Sequence, residues 1–261
     1  MEPTHNSGQS ITGAYEGWFK NPDGSFSMLV GYYNRNKEDA LDIQVGADNR
    51  IEPGGPDQGQ PVHFLPGRQW GVFTIRIPAD FGEKKLTWTI SANGKSMQIP
   101  LSLNVLWEVE PFRDANGNGP PYVSFRESGP FRNGPLAEAE VLTATAGVPL
   151  NLPVWVAEDE KQAPGARRPQ TPPVTLGWSL FRGPGKVNFS AARPQVEKTA
   201  NPNAPKDTVF QGAATTAATF SEPGDYVLRL QLNDWSGDGG RGFQCCWSTA
   251  HVKVSVKPAG K

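Results

Sequence analysis

Four residues near the middle of the chain have the types and spacing of a calcium-binding loop. The pattern D-x-[DN]-x-[DN]-G, whose carboxylate and amide oxygens suit a hard cation, is met by Asp114, Asn116, Asn118 and Gly119. The twelfth position, however, is Phe125, where a bidentate Glu would be needed. Two interpretations therefore stand, a calcium site at Asp114, Asn116 and Asn118 or a metal-free linker rich in Asx turns.

Two adjacent cysteines are the second candidate for chemistry. Cys245 and Cys246 are the only cysteines in the chain, which excludes a framework of several disulfides. They can form a vicinal disulfide. Such a disulfide is strained, because the Cα atoms of adjacent residues are closer together than those of an ordinary disulfide. They can also remain reduced, with one thiol inward and one outward along a strand. Metal ligation with His251 is a third alternative, which lacks an identified fourth ligand.

Catalytic signatures are scarce. The sequence contains no G-x-S-x-G, H-E-x-x-H or P-loop pattern, and its three histidines lie far apart. A G-x-G-x-x-G match at 237–242 leads into Phe243-Gln244-Cys245-Cys246, so no helix N-terminus follows to hold a pyrophosphate. We therefore expect a protein that is not an enzyme and has no cofactor, calcium being the one alternative.

A long irregular stretch supplies most candidate ligand contacts. Residues 34–69 show little strand pattern, and a loop of this length is either a packed surface loop or a loop that contacts a ligand. The side chains that could make such contacts are Asp57, Gln58, Gln60, His63 and Arg68.

The eight tryptophans raise the alternative of carbohydrate binding, because exposed rings can stack on sugar faces. Sequence alternation places Trp70, Trp88 and Trp178 in cores. The rings left available, if they are not core residues too, are Trp18, Trp107, Trp155, Trp235 and Trp247. Trp235 and Trp247 flank a Gly-rich loop at one end of the second half, and we take both as candidate ligand contacts.

Charge and hydropathy exclude two classes of partner. Lys+Arg 25 against Asp+Glu 26 gives a net charge of −1, which provides no basic field for nucleic acid or an anionic membrane. Apolar runs are only strand-sized, and the first ten residues lack the apolar core of a signal peptide. We expect no nucleic-acid partner, no membrane insertion and no leader in this chain.

Turn residues and alternation predict an all-β fold. Asn93-Gly94 between two alternating runs predicts a two-residue hairpin that pairs Ile90 with Met97 and Trp88 with Ile99. Pro100 makes 95–101 an edge strand. Farther on, the Pro223-Gly224 turn leads into a strand with Tyr226, Leu228, Leu230 and Leu232 on one face.

The second half, roughly 141–258, resembles immunoglobulin-like domains of the polycystic-kidney-disease (PKD) type. The likeness rests on Trp178, Gly183-Pro184-Gly185 and the corner at Pro223-Gly224-Asp225-Tyr226, where such domains tie a Tyr back to the turn. It implies a module of secreted or surface proteins used as a spacer, an adhesive unit or an accessory beside enzymes. The first half, with Glu16-Gly17-Trp18 and Asn21-Pro22-Asp23-Gly24, resembles uncharacterised secreted proteins of environmental bacteria.

These observations predict two β-sandwich domains, the second immunoglobulin- or PKD-like. We divide the chain into a flexible segment 1–12, a domain 13–108, a connection 109–140 and a domain 141–258. The expected function is that of a non-catalytic binding or structural module, secreted, periplasmic or on the cell surface, with a protein or polysaccharide partner. The alternatives are a polysaccharide-recognising accessory module and a self-associating filament or surface-layer subunit that pairs edge strands.

Overall fold

The computed structural model divides into two compact units, Met1–Val109 and Glu110–Lys261. It describes residues 5–115, 117–159, 161, 172–235 and 246–260. In these ranges the chain consists of strands, turns and one 3₁₀ turn at Val105–Trp107, without an α-helix. The predicted all-β class is confirmed. None of the described segments forms a helix of the length and apolarity needed to cross a membrane.

The described residues of the first unit form eight strands. They are β1 Ile11–Lys20, β2 Phe26–Asn34, β3 Leu41–Asp42, β4 Asn49–Glu52, β5 His63–Phe64, β6 Gly67–Ile77, β7 Lys85–Ala92 and β8 Lys95–Ser102. They form three sheets with the orders β1-β2-β6, β3-β5 and β4-β7-β8. Met28, Leu29 and Val30 of the middle strand β2 are fully buried, in agreement with their lack of polar alternation.

The hairpin of β7 and β8 has the predicted register. Trp88 pairs with Ile99 and Ile90 with Met97, and the left-handed φ angles of 49° at Asn93 and 76° at Gly94 are those of a type I′ turn. β8 is the last strand of its sheet. The predicted edge is therefore confirmed.

The described residues of the second unit form a sandwich of two sheets. Its strands are β9 Tyr122–Ser124, β10 Pro135–Thr145, β11 Leu150–Glu158, β12 Val174–Arg182, β13 Val187–Phe189, β14 Glu197–Lys198, β15 Phe210–Phe220, β16 Gly224–Asp234 and β17 Trp247–Lys257. One sheet has the order β10-β17-β16-β12, and the other has β13-β15-β11-β9 with β14 also on β15. This arrangement is immunoglobulin-like. Alternate side chains of both sheets form one buried core.

The corner before β16 explains why residues 183 and 185 are glycines. The Tyr226 hydroxyl donates a hydrogen bond to the Glu222 carbonyl at 2.9 Å, which is the predicted tie. A Cβ at Gly183 would lie 2.2 Å from the Tyr226 ring, and one at Gly185 would lie 2.9 Å from its hydroxyl. Gly183-Pro184-Gly185 is therefore the surface against which this tyrosine packs.

The structure differs from our division of the chain at 109–140. β9 pairs with β11 and β10 pairs with β17, so residues 122–124 and 135–140 of the predicted connection are strands of the second unit. A three-residue strand such as β9 has too short a pattern to be recognised in a sequence. The boundary between compact units lies at Val109.

Candidate functional site

The predicted ligand loop is organised around a buried glutamine. The Gln60 side chain is fully buried, and its amide nitrogen donates to the Pro56 carbonyl at 2.7 Å. Its amide oxygen accepts from the Gln58 backbone N–H at 2.8 Å, while Asp57 accepts from the Gly59 N–H at 2.9 Å. The Gln60 side chain thus holds the loop closed from inside and does not present its amide to solvent.

The other two candidates of this stretch make contacts of their own. His63 Nδ1 lies 2.7 Å from a carboxylate oxygen of Asp42 on the neighbouring strand β3. Arg68 donates to Glu16 at 2.6 Å and stacks on the Trp70 ring at 3.8 Å. Trp70 is half-buried under this guanidinium, so it is less buried than the core position that we expected. Ligand binding by the five residues stays a prediction.

The candidate calcium residues form a tight turn. Asp114 Oδ1 accepts from the Asn118 backbone N–H at 3.0 Å, and the Asn118 side-chain nitrogen donates to Asp234 Oδ2 at 2.6 Å. Asn116 lies outside the described residues. Among the residues that are described, no three His, Cys, Asp or Glu side chains are placed to share a metal ion. The contacts fit the Asx-turn alternative, and calcium binding stays a prediction.

The candidates near the C-terminal end lie in or next to an undescribed stretch. Cys245 lies outside the described residues, and the Cys246 sulfur is buried 3.3 Å from the Asn118 carbonyl oxygen. The disulfide between them therefore stays a prediction. Trp235 is half-buried. Trp247 is only 3% exposed, because it packs within the second unit, so it does not offer the free ring that a sugar platform needs.

Three consecutive apolar residues are exposed to solvent. Val105, Leu106 and Trp107 are 72%, 86% and 49% exposed. Scattered exposed apolar side chains need no explanation, but three in a row form a patch of the kind that marks interaction surfaces. The sequence suggested Trp107 as a sugar-stacking ring, but nothing in it marked Val105 and Leu106 as functional residues.

The backbone beneath this apolar turn, residues 105–107, is fixed by hydrogen bonds. The Asn104 side chain caps the turn by accepting from the Leu106 N–H at 2.9 Å, and the Asn104 carbonyl accepts from the Trp107 N–H at 2.9 Å. The Trp18 indole N–H donates to that same carbonyl at 2.7 Å, which satisfies the one polar group of this buried ring. An Asn immediately before a short apolar run is a capping signal, and it could have predicted the turn.

The Trp107 ring has a neighbour that orients it. Its centroid lies 5.6 Å from that of Tyr15, with the two planes tilted by 37°. Tyr15 is itself anchored, because its hydroxyl donates to the Ser102 carbonyl at 2.6 Å. The apolar turn therefore presents its side chains from a preorganised frame.

The edge strand β8, by contrast, offers few groups for pairing. Pro100 has no N–H, and its pairing with Thr87 is a non-hydrogen-bonded position, so its nitrogen faces the open edge. Ser102 also faces that edge, and its carbonyl is taken by Tyr15. Natural sheets use such features to prevent strand addition.

No protein-family model matches the chain, and no curated protein sequence does. Among solved structures the chain is similar to the D00-D0 domain of intimin, at 11% identity over 94% of this chain and 98% of that one, with a TM-score of 0.27. It is also similar to domains 4 and 5 of the S-layer protein SbsC, at 9% identity over 95% and 98%, with a TM-score of 0.26. Likenesses of this size carry no argument about function.

Proposed function

We propose that this protein is a non-catalytic binding module that works outside the cytoplasm, and that the apolar turn at 105–107 is its contact surface. The observation that carries the proposal is the combination of a hydrogen-bonded backbone with three exposed apolar side chains. Such a surface loses little conformational entropy on binding and gains by leaving water. The PKD-type likeness of the second unit, with its implied place in secreted or surface proteins, is part of the same proposal.

The chemistry of the turn favours a protein partner with an apolar recess. Val105 and Leu106 carry no hydrogen-bonding side-chain atom, and the side-chain oxygen of Asn104 is engaged in the cap. A Trp with aliphatic neighbours is typical of the residues that dominate protein interfaces.

A polysaccharide is the second candidate, and one observation favours it. Trp107 presents about half of its surface and is steadied by Tyr15, as a ring that stacks on a sugar would need to be. Binding on a glycan array that is lost in Trp107→Ala and retained in Leu106→Ala would favour this candidate over the protein partner.

Self-assembly through β8 is the third candidate, and its support is weaker. The edge exists, but Pro100 and the bond from Tyr15 to Ser102 remove hydrogen-bonding groups that an added strand would use. Light scattering at high protein concentration tests it, because edge pairing would raise the mass above that of a monomer.

Photo-cross-linking tests the proposed contact surface. A photoreactive leucine analogue at position 106 should capture an extracellular protein from cells of the producing organism, whereas the same group at the exposed position Lys20 should not. Unlabelled protein should compete for the capture, and unlabelled Leu106→Glu should not. Equal capture from both positions, or equal competition by both proteins, would reject the apolar turn as the contact surface.

A further inference from the structure

A small cavity opens in the second unit where the chain passes from one sheet to the other. β9 pairs in the β11 sheet and β10 pairs in the β17 sheet, and the segment between them lines a cavity of about 220 Å³. At about 30 Å³ per water, this cavity holds roughly seven water molecules, which is room for one monosaccharide.

The base and the rim of the cavity differ in chemistry. Phe125 and Ala139 both pack against the core, and with Pro130 they give the cavity apolar surface. The rim carries the guanidinium groups of Arg126 and Arg132 and the carboxylate of Glu140. The lining therefore carries a formal charge of +1.

The two arginines keep donors available for a ligand. Arg126 lies 3.3 Å from a Glu140 oxygen with its side chain 69% exposed, and Arg132 donates to the Ala139 carbonyl at 3.3 Å. A guanidinium has five N–H donors, so each of these long contacts leaves most of them free for a bidentate bond to a carboxylate.

The cavity's polar groups fit an acidic sugar better than a simple acid. One guanidinium can bind a carboxylate, while the Glu140 oxygens can accept from sugar hydroxyls and the Phe125 ring can cover an apolar sugar face. A ligand with a carboxylate alone would leave Glu140 without a hydroxyl to bind. We propose that this cavity binds one uronic acid residue, a binding site additional to the contact surface of the proposed function.

The backbone holds the two arginines in place without help from a ligand. Val123 and Arg132 exchange two backbone hydrogen bonds at 2.8 and 3.0 Å, and the Ser124 hydroxyl donates to the Arg126 carbonyl at 2.7 Å. The backbone that carries the two arginines is therefore fixed, and removal of either side chain should leave the loop intact.

Titration of the full chain with methyl glucuronide, followed by NMR, tests the proposal. We expect a Kd of about 1 mM, as small ligands of this size give, with shifts confined to residues 123–140. Replacing both arginines together, Arg126→Ala with Arg132→Ala, should weaken binding at least tenfold, while Lys198→Ala, an exposed site on β14, should bind as the wild type does. The amide spectra of the variants report whether each has folded, and Arg132→Lys serves as a milder replacement.

Two further ligands complete the experiment. Methyl glucoside, which lacks the carboxylate, should not bind, and N-acetylglutamate should bind more weakly than the glucuronide. The proposal is overturned if the glucuronide causes no shifts at 123–140 at twenty times the expected Kd. It is equally overturned if the glucoside binds as well, or if N-acetylglutamate binds as tightly with the same dependence on the arginines.

Discussion

Glu16 of β1 and Arg68 of β6 form an ion pair across a strand that lies between them. Both strands pair with β2 and not with each other, yet the Glu16 carboxylate reaches the Arg68 guanidinium at 2.6 Å and the Gly71 N–H at 2.8 Å. The crossing is open because residue 31 of β2 is Gly. A Cβ there would lie 2.2 Å from Glu16 Oε1 and 2.6 Å from the Arg68 nitrogen.

Gly31→Ala should therefore destabilise the first unit strongly. The added methyl group would displace the Glu16 carboxylate and leave a buried charge without its partner, which costs about 3–5 kcal/mol. Urea unfolding measures the change.

Gly177→Ala is the matched control, because Gly177 is also a strand glycine but a Cβ there would meet its nearest atom at 3.7 Å. It should change stability by less than about 1 kcal/mol. If Gly31→Ala is as stable as the control, the Glu16–Arg68 ion pair does not require a glycine at position 31.

Tyr226→Phe should destabilise the second unit by about 1 kcal/mol, because the Glu222 carbonyl loses its donor while the ring remains. Tyr122→Phe in the same unit is the control, since no hydrogen bond from the Tyr122 hydroxyl is found among the described residues. Equal melting temperatures for the two variants would mean that Tyr226 contributes through its ring alone.

Stability above pH 10 should depend on Tyr15. Burial raises the pKa of Tyr15 above its ordinary value of 10.0, so the folded state holds this proton more tightly than the unfolded chain does. The contribution of Tyr15 to the free energy of unfolding is complete below pH 10 and declines as the pH rises above 10.

The unfolding free energy of the wild type should accordingly fall more steeply between pH 10 and pH 12 than that of Tyr15→Phe. Burial also raises the pKa of Tyr122, but Tyr122 is present in both proteins and its effect cancels. If the unfolding free energies of the two proteins fall with the same slope, folding does not raise the pKa of Tyr15.

Features that depend on a few consecutive residues could be predicted from the sequence. The Asn93-Gly94 hairpin and the Tyr226 corner each follow from a few consecutive residues whose turn chemistry sets the register. The Glu16–Arg68 pair could not be predicted from such local patterns. It requires a register shift in β1 after Tyr15 and another in β2 after Val30. It also requires Gly31, which leaves room for the carboxylate. Alternation does not reveal such shifts.

The candidate site was predicted less well than the fold, for a similar reason. Gln60 was selected as an exposed polar side chain in a polar loop, but the loop folds around its amide. Val105 and Leu106 look like core residues by type and are exposed because the Asn104 cap turns the chain before they can enter a sheet. Hydropathy alone predicts the opposite burial, with Gln60 exposed and with Val105 and Leu106 in a core.

The two units should fold separately. Each is compact in itself and the boundary lies at Val109, so chains of residues 1–109 and 110–261 should each show a cooperative thermal transition. Loss of dispersed amide signals in either fragment would indicate that the unit depends on the rest of the chain.

The affinity of Leu106→Glu for cells of the producing organism is the direct test of the apolar turn as the contact surface. Leu106 is 86% exposed, so the substitution should leave the melting temperature unchanged while placing a charge in the proposed contact. Gln98→Glu adds the same charge at an exposed position of β8. We predict that Leu106→Glu binds at least tenfold more weakly than the wild type, a loss of about 1.4 kcal/mol, and that Gln98→Glu binds normally. Undiminished binding by Leu106→Glu would show that the apolar turn is not the contact surface.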